Sequence, residues 1–278
     1  MARRAGFDAL LALCAGVSLA FLAIPIVALF TQVPLHRLPS LLGSGQVRDA
    51  IWVTVRTNAI ANALVLGFGT PAAYLLATRR FRGRSVVVTL VELPVVLPPA
   101  VAGIALLSAF GRGGLFGDAL ASGGIVLPFT QWAVVVAVTF VAAPFYLRAA
   151  IAAFAAVDPQ LPEAARTLGA SPARTFRRVS LPLAASGLAA GWVLAFARGM
   201  GEFGATIIFA GSVRGRTQTL TLAIYDQLDS NFDASLAIGV LLVVLSGAVL
   251  ISSKMLTTWR ASTFSSPSPF ARTRSASA

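Results

Sequence analysis

From Ala9 to Val33 the chain carries no charged residue. A helix that crosses a bilayer needs about 20 mostly apolar residues, and this run is long enough. Five more stretches qualify, each edged by charge. They lie between Arg56 and Arg79, from Ser85 to about Phe110, between Asp118 and Arg148, from beyond Arg178 to about Ala205, and between Asp233 and Lys254. Lipid offers no partner to backbone N–H and C=O groups, so each block must satisfy its own and become a helix. The composition agrees: 57% of the 278 residues are hydrophobic and 12% charged, where a soluble domain carries about 25% charged residues. The expected fold class is all-α, a polytopic membrane helix bundle of six transmembrane helices. The first run outlasts the roughly 7–15 apolar residues of a secretory leader and reaches Pro34 without a small-residue cleavage site, so it reads as a retained span.

Loop charge sets the orientation. With the N-terminus inside, the inner segments hold Arg3, Arg4, Arg79, Arg80, Arg82, Arg84, Arg148, Arg166, Arg174, Arg177, Arg178, Lys254, Arg260, Arg272 and Arg274, fifteen of the 22 Lys and Arg. The outer segments hold Arg37, Arg48, Arg112, Arg214 and Arg216. Fifteen against five gives N-in, C-in, and places residues 148–181 in the cytoplasm. The same spread of arginines over many loops, rather than one basic stripe, accounts for the net charge of +12 without a nucleic-acid partner. One Cys (Cys14) and one His (His36) make neither a disulfide framework nor a zinc site. Cys14 reads as a small packing residue. Residues 1–49 are expected to form the first span and an outer loop, 50–255 the core, and 256–278 a disordered tail rich in Ser, Arg and Pro.

The water-facing segment 158–181 is unusual. Asp158 suits an N-cap and Pro159 the position after it. Leu161, Ala164, Ala165 and Leu168 follow the spacing of one helical face, while Glu163 and Arg166 take the other. Gly169 suits the left-handed residue that closes a helix. Ser171 and Pro172 then restart the chain as a second cap and first turn. A basic amphipathic helix could lie on anionic lipid. However, two of the four stripe residues are alanines, which anchor weakly in lipid and allow close approach in a protein groove.

Prolines punctuate the spans at Pro71, Pro94, Pro98, Pro99 and Pro144. Each removes a backbone donor and kinks or breaks a helix. Packing geometry and a pathway that opens and closes are both open readings. Arg198 and Glu202, four apart within a span, share one helical face. They read as an ion pair that supports the structure beside a pathway rather than as an oxyanion-binding site. Gly199, Gly201 and Gly204 permit close helix approach or a local break. The gate candidates are thus Arg198, Gly201, Glu202, Phe203, Gly204, Pro98 and Pro99. Glu92 either snorkels to the inner interface or faces a cavity. Arg214 and Arg216 either attract an anion or are simply solvated.

Glu163-Ala164-Ala165, Gly169, Val179 and Leu181-Pro182 together resemble the EAA loop of ATP-binding-cassette importer permeases, with Val where Ile is usual. The resemblance implies that this loop is a coupling helix, docked through Leu161, Glu163, Ala164, Ala165, Leu168, Gly169 and Pro172 into a groove of a cytoplasmic ATPase. Leu93 to Gly103, and Phe196 to Thr206, are similar to the oxyanion branch that carries molybdate or sulfate. Phe209 to Ser212, Gly215 to Leu220, and Ala223-Ile224-Tyr225 resemble its molybdate members, with sulfate or tungstate as the alternative ions. The resemblance implies a type I importer permease in a bacterial cytoplasmic membrane. It implies a homodimer with two ATP-binding subunits below and an extracytoplasmic oxyanion-binding protein above. ATP and Mg would sit on the ATPase, and this chain would need no cofactor. The chain itself lacks the Gly-rich Lys-Ser/Thr phosphate loop. A membrane-embedded enzyme is disfavoured because the sequence holds no His-Glu-x-x-His and only two acids within spans. A non-transporting scaffold for an ATPase is the remaining rival.

Overall fold

A computed structural model of the chain describes residues 2–264, with side chains described from Phe7 to Ser252 except Leu35. Its regular elements are helices. The first, α1 (Ala2–Gln32), is followed by α2 (Leu38–Leu42), α3 (Gly45–Thr78), α4 (Arg84–Val96) and α5 (Pro99–Phe110). Next come α6 (Gly117–Ser122), α7 (Gln131–Ala155), α8 (Gln160–Thr167) and α9 (Pro172–Thr175). The chain continues through a π turn at Phe176–Ser180 into α10 (Leu181–Met200), then α11 (Gly204–Phe209), α12 (Leu220–Gln227) and α13 (Phe232–Phe264). Five of these helical stretches are long and apolar enough to cross a membrane unaided.

The third expected span is different. Instead of one rod from Ser85 to Phe110, α4 and α5 meet at an angle of 117°. Leu97 and Pro98 take extended backbone at ψ 131° and 138°. A residue before proline is pushed out of the helical region, and Leu97 and Pro98 each precede one. The pair makes a sixth span only if counted as one bent element. Pro71 and Pro144, by contrast, sit inside unbroken α3 and α7.

Local chemistry sets several boundaries. The Ser44 hydroxyl accepts from Val47 N–H to cap α3, and Thr130 accepts from Ala133 N–H to cap α7. Arg84 donates from Nε to the Leu76 carbonyl at 2.6 Å, which satisfies an open carbonyl in the last turn of α3. The π turn sits just before Pro182, which has no N–H to give the preceding turn.

The bundle centres on α3, α7 and α10. Small residues let α10 press against α7: a Cβ on Gly191 would lie 2.7 Å from Ala149 Cβ, and one on Gly187 would lie 2.5 Å from Ala153 Cβ. Lipid tails are as apolar as the core, so close packing of this kind replaces the hydrophobic drive. One apolar cluster joins Ala61, Leu106, Val134, Val138 and Phe209. A second joins Val65, Tyr146, Phe154 and Leu188. A third, around Val47, Leu220 and Ile238, ties α3 to α12 and α13.

The first span lies at the edge, touching α13 where Leu29 meets Gly239. Its apolar residues, such as Phe21 and Leu22, are exposed. So is Cys14, which does not pack against the rest of the chain as expected. The last helix also differs from the reading of a tail from 256, because α13 continues to Phe264. The rest of that tail, 265–278, lies outside the described residues.

Candidate functional site

Two features could carry movement through this bundle. The first is the helical segment between α7 and α10. Asp158 Oδ1 accepts from Gln160 N–H at 3.0 Å, so the acid still opens α8, one residue later than its expected first turn. Gly169 closes the helix at φ +84°, with Gly169 N–H bonded to Arg166 O and Ala170 N–H bonded to Ala165 O. This is a Schellman closure, which requires the left-handed residue. Ser171 then accepts from Arg174 N–H to start α9. Along α8, Pro162 and Ala165 are half-buried, while Leu161, Glu163, Ala164 and Leu168 are exposed. Leu168, next to the turn, is 88% exposed. Pro172 is exposed at the start of α9.

The root of this segment is fixed by three rings. Tyr74 of α3 lies 5.3 Å from Phe154 of α7 and 4.7 Å from Phe176 in the π turn, and the two phenylalanines are 6.1 Å apart. Each pair adds about 0.5–1.5 kcal/mol to the burial of its rings. The segment is thus anchored on α3 and α7 rather than hung from a slack loop.

The second feature is a break in the fifth span. α10 ends at Met200, and α11 restarts at Gly204. Glu202 sits in the gap with a side chain only 1% exposed. One carboxylate oxygen meets Arg198 Nη1 at 2.8 Å, and the other accepts the Ala205 N–H at 2.8 Å. Its backbone carbonyl accepts from the Thr221 hydroxyl at 2.7 Å. Glu202 thus caps α11, neutralises Arg198 and binds α12. Gly204 has no room for a Cβ, because Pro99 of α5 fills that place. Gly103 is likewise closed by Ile208, at 2.8 Å from its would-be Cβ. The bend in α4–α5 and the break in α10–α11 are therefore packed against each other. Phe203 packs against Tyr225 with ring centres 5.3 Å apart and planes tilted by 52°. Gly201 is exposed, and its would-be Cβ meets only ordinary contacts, the nearest at 3.8 Å.

The chain matches the family of binding-protein-dependent transport system inner membrane components over residues 66–257. It belongs to that family. Among its relatives, the molybdenum transport system permease protein ModB of Mycobacterium tuberculosis is 43% identical over 233 residues, covering 83% of this chain and 88% of ModB. The sulfate transport system permease protein CysT of Salmonella typhimurium is 36% identical over 206 residues, covering 74% of each. In fold, the chain is similar to a bacterial ABC transporter involved in the import of the acidic polysaccharide alginate. That match has a TM-score of 0.73 at 19% identity and covers 91% of this chain and 95% of the other. Proteins of this family are translocation components of importers, so this member is a multi-pass membrane permease subunit and not an enzyme.

Within this permease fold, Arg198, Glu202, Phe203, Gly204 and Pro99 come together at the break. Pro98 is exposed at the neighbouring bend. Glu92 meets Arg148 at 3.2 Å, a partly exposed ion pair between α4 and α7. Arg214 lies 3.9 Å from Asp49, and Arg216 is exposed.

A buried polar stripe on α3 was missing from the sequence reading. The Thr54 hydroxyl accepts from Leu220 N–H at 2.8 Å and so holds the start of α12. Asn58 donates to Phe196 O at 3.3 Å, and Asn62 donates back to Asn58. Asn58 Oδ1 also occupies the place a Cβ on Gly199 would need. The signal was available: Thr54, Asn58 and Asn62 are spaced by four along one helical face. Buried amides and hydroxyls need partners: Thr54 finds the backbone of α12, Asn58 that of the broken span, and Asn62 finds Asn58 on its own helix.

Proposed function

We propose that this chain is half of the translocation pathway of an ATP-driven oxyanion importer, and that the oxyanion is molybdate. Two copies would pair about a twofold axis. Two ATP-binding subunits would sit below and a soluble oxyanion-binding protein above, with ATP and Mg held by the ATPase alone. On this reading the chain is oriented N-in, C-in, so that α8 projects into the cytoplasm. Transport proceeds by alternation between inward- and outward-open states.

One observation carries the proposal: Leu168, 88% exposed, stands at the closed end of α8 while the root of the same segment is bolted to α3 and α7 by Tyr74, Phe154 and Phe176. An apolar knob on a rigid stem fits a groove in a partner protein. Leu161, Glu163, Ala164, Ala165, Gly169 and Pro172 complete that docking segment. Arg198 and Glu202 set the break behind the pathway, with Gly204 and Pro99 as its packed hinge. The 43% identity to a molybdenum permease supports the ion. The sulfate permease relative at 36% identity keeps sulfate as the second reading.

The test is labelled uptake into vesicles that hold the chain, its ATPase and its binding protein. We expect molybdate uptake that needs ATP and is outcompeted weakly by sulfate. Leu168→Asp should abolish uptake and release the ATPase while leaving the permease folded. Full uptake by that variant would overturn the docking role, and preference for sulfate would overturn the ion.

A further inference from the structure

At the root of the same segment lies a half-open cleft of about 440 Å³. Its walls come from the last turn of α3 and the two residues just beyond it, the end of α7, one side of α8 and the end of the π turn. Arg79, Arg80 and Arg166 line it together with Glu163, Tyr74 and Ser180. The three arginines are exposed at the mouth of the cleft, and none is in a salt bridge among the described residues. The Ser180 hydroxyl is buried and has no hydrogen-bond partner among the described residues. A buried hydroxyl without a partner calls for an explanation, and an absent ligand is one.

Charge decides what the cavity can take. Three guanidinium groups bring three positive charges, and Glu163 removes one. The C-termini of α3 and α7 end here, and each contributes about half a negative charge. The balance stays near +1 before any ligand arrives. Guanidinium groups present planar forks of N–H donors that match phosphate-like oxygens. We propose that this cavity binds a tetrahedral oxyanion. The group is either a free inorganic oxyanion or the phosphate of an anionic lipid headgroup, which offer the same chemistry to arginine.

The position gives the site a consequence. Arg79 and Arg80 directly follow the end of α3 and Arg166 belongs to α8, so a bound anion ties the two together. Leu168 is not part of the wall, which leaves the exposed end of the helix free, while Glu163 belongs both to the wall and to the docking segment. If the segment is the coupling helix proposed above, occupancy stiffens the joint through which motion enters the bundle. That consequence rests on the transport reading, but the binding does not.

Binding is therefore measured on the isolated full-length chain, without ATPase and without transport. The chain is reconstituted in nanodiscs of phosphatidylcholine alone, or with phosphatidylglycerol. Equilibrium dialysis with radiolabelled inorganic phosphate and molybdate reads free ions, and native mass spectrometry reads retained phosphatidylglycerol. We expect one saturable equivalent per chain, weakened about tenfold or more in Arg80→Gln/Arg166→Gln. Arg174→Gln/Arg177→Gln removes the same charge from exposed positions outside the cavity and should bind as wild type. Ser180→Ala should weaken binding several-fold, and it carries the test alone if the double variant fails to fold. Ion binding in phosphatidylcholine identifies a free oxyanion as the ligand, and retention of phosphatidylglycerol alone identifies the lipid. Absence of both, or equal loss in the two double variants, overturns the proposal.

Discussion

Replacing Glu202 by glutamine tests the break in the fifth span one interaction at a time. Glutamine keeps an oxygen for the Ala205 N–H, so the cap on α11 survives, but the charge facing Arg198 is lost. Removing one partner of a buried ion pair costs about 3–5 kcal/mol. The Arg198 side chain is 29% exposed and recovers some hydration, so we expect about 2 kcal/mol at this site. For 150–250-residue proteins each kcal/mol moves the melting midpoint by roughly 2–4 °C, which gives a drop of about 4–8 °C. Glu202→Ala also removes the cap, worth about 1 kcal/mol more. Arg198→Gln/Glu202→Gln should lose less than the sum of its single variants, because the double variant leaves no charge unpaired. The assay is intrinsic-fluorescence melting of the purified chain in one detergent. An unchanged midpoint in Glu202→Gln, or strict additivity in the cycle, would show that the pair does not hold the break.

Three further outcomes follow from the packing. Gly204→Val drives a side chain into Pro99, so folded yield and uptake should both collapse, whereas Gly201→Ala should behave as wild type; size-exclusion yield and vesicle uptake read this contrast. Thr54→Val strands the Leu220 N–H in a buried place at about 1–3 kcal/mol, and Thr54→Ser should restore it, as judged by melting midpoints. Gly169→Ala meets no atom within 4 Å but must hold φ +84°, a strain of about 1–2 kcal/mol; Gly169→Asn should retain more ATP-driven uptake than Gly169→Ala.

The closure of α8 was legible because it rests on local rules. Asp158, Gly169 and Ser171 each act within four residues of themselves, through bonds the structure shows. Neither the bend at Pro98 nor the role of Glu202 could be read in full. The Leu-Pro-Val-Val-Leu-Pro-Pro run announces lost donors, but not whether a helix kinks or turns through 117°. That depends on Gly204 and Gly103 offering α11 as a surface for α5. The pairing of Arg198 with Glu202 follows from a spacing of four. The second bond of Glu202, to Ala205, exists only because the helix is interrupted there.

By itself, the sequence determined that this chain is a bundle of membrane helices with a doubly capped helical segment outside the lipid. Block length, cap chemistry and the freedom of glycine at positive φ act over a few residues and need no distant partner. Only the tertiary structure decided that the buried Thr54 and Asn58 on α3 hold a broken helix and its neighbour, and that Tyr74, Phe154 and Phe176 converge under α8. Buried polar groups and rings take their meaning from what other chain segments bring to them, and those segments lie tens to more than a hundred residues away.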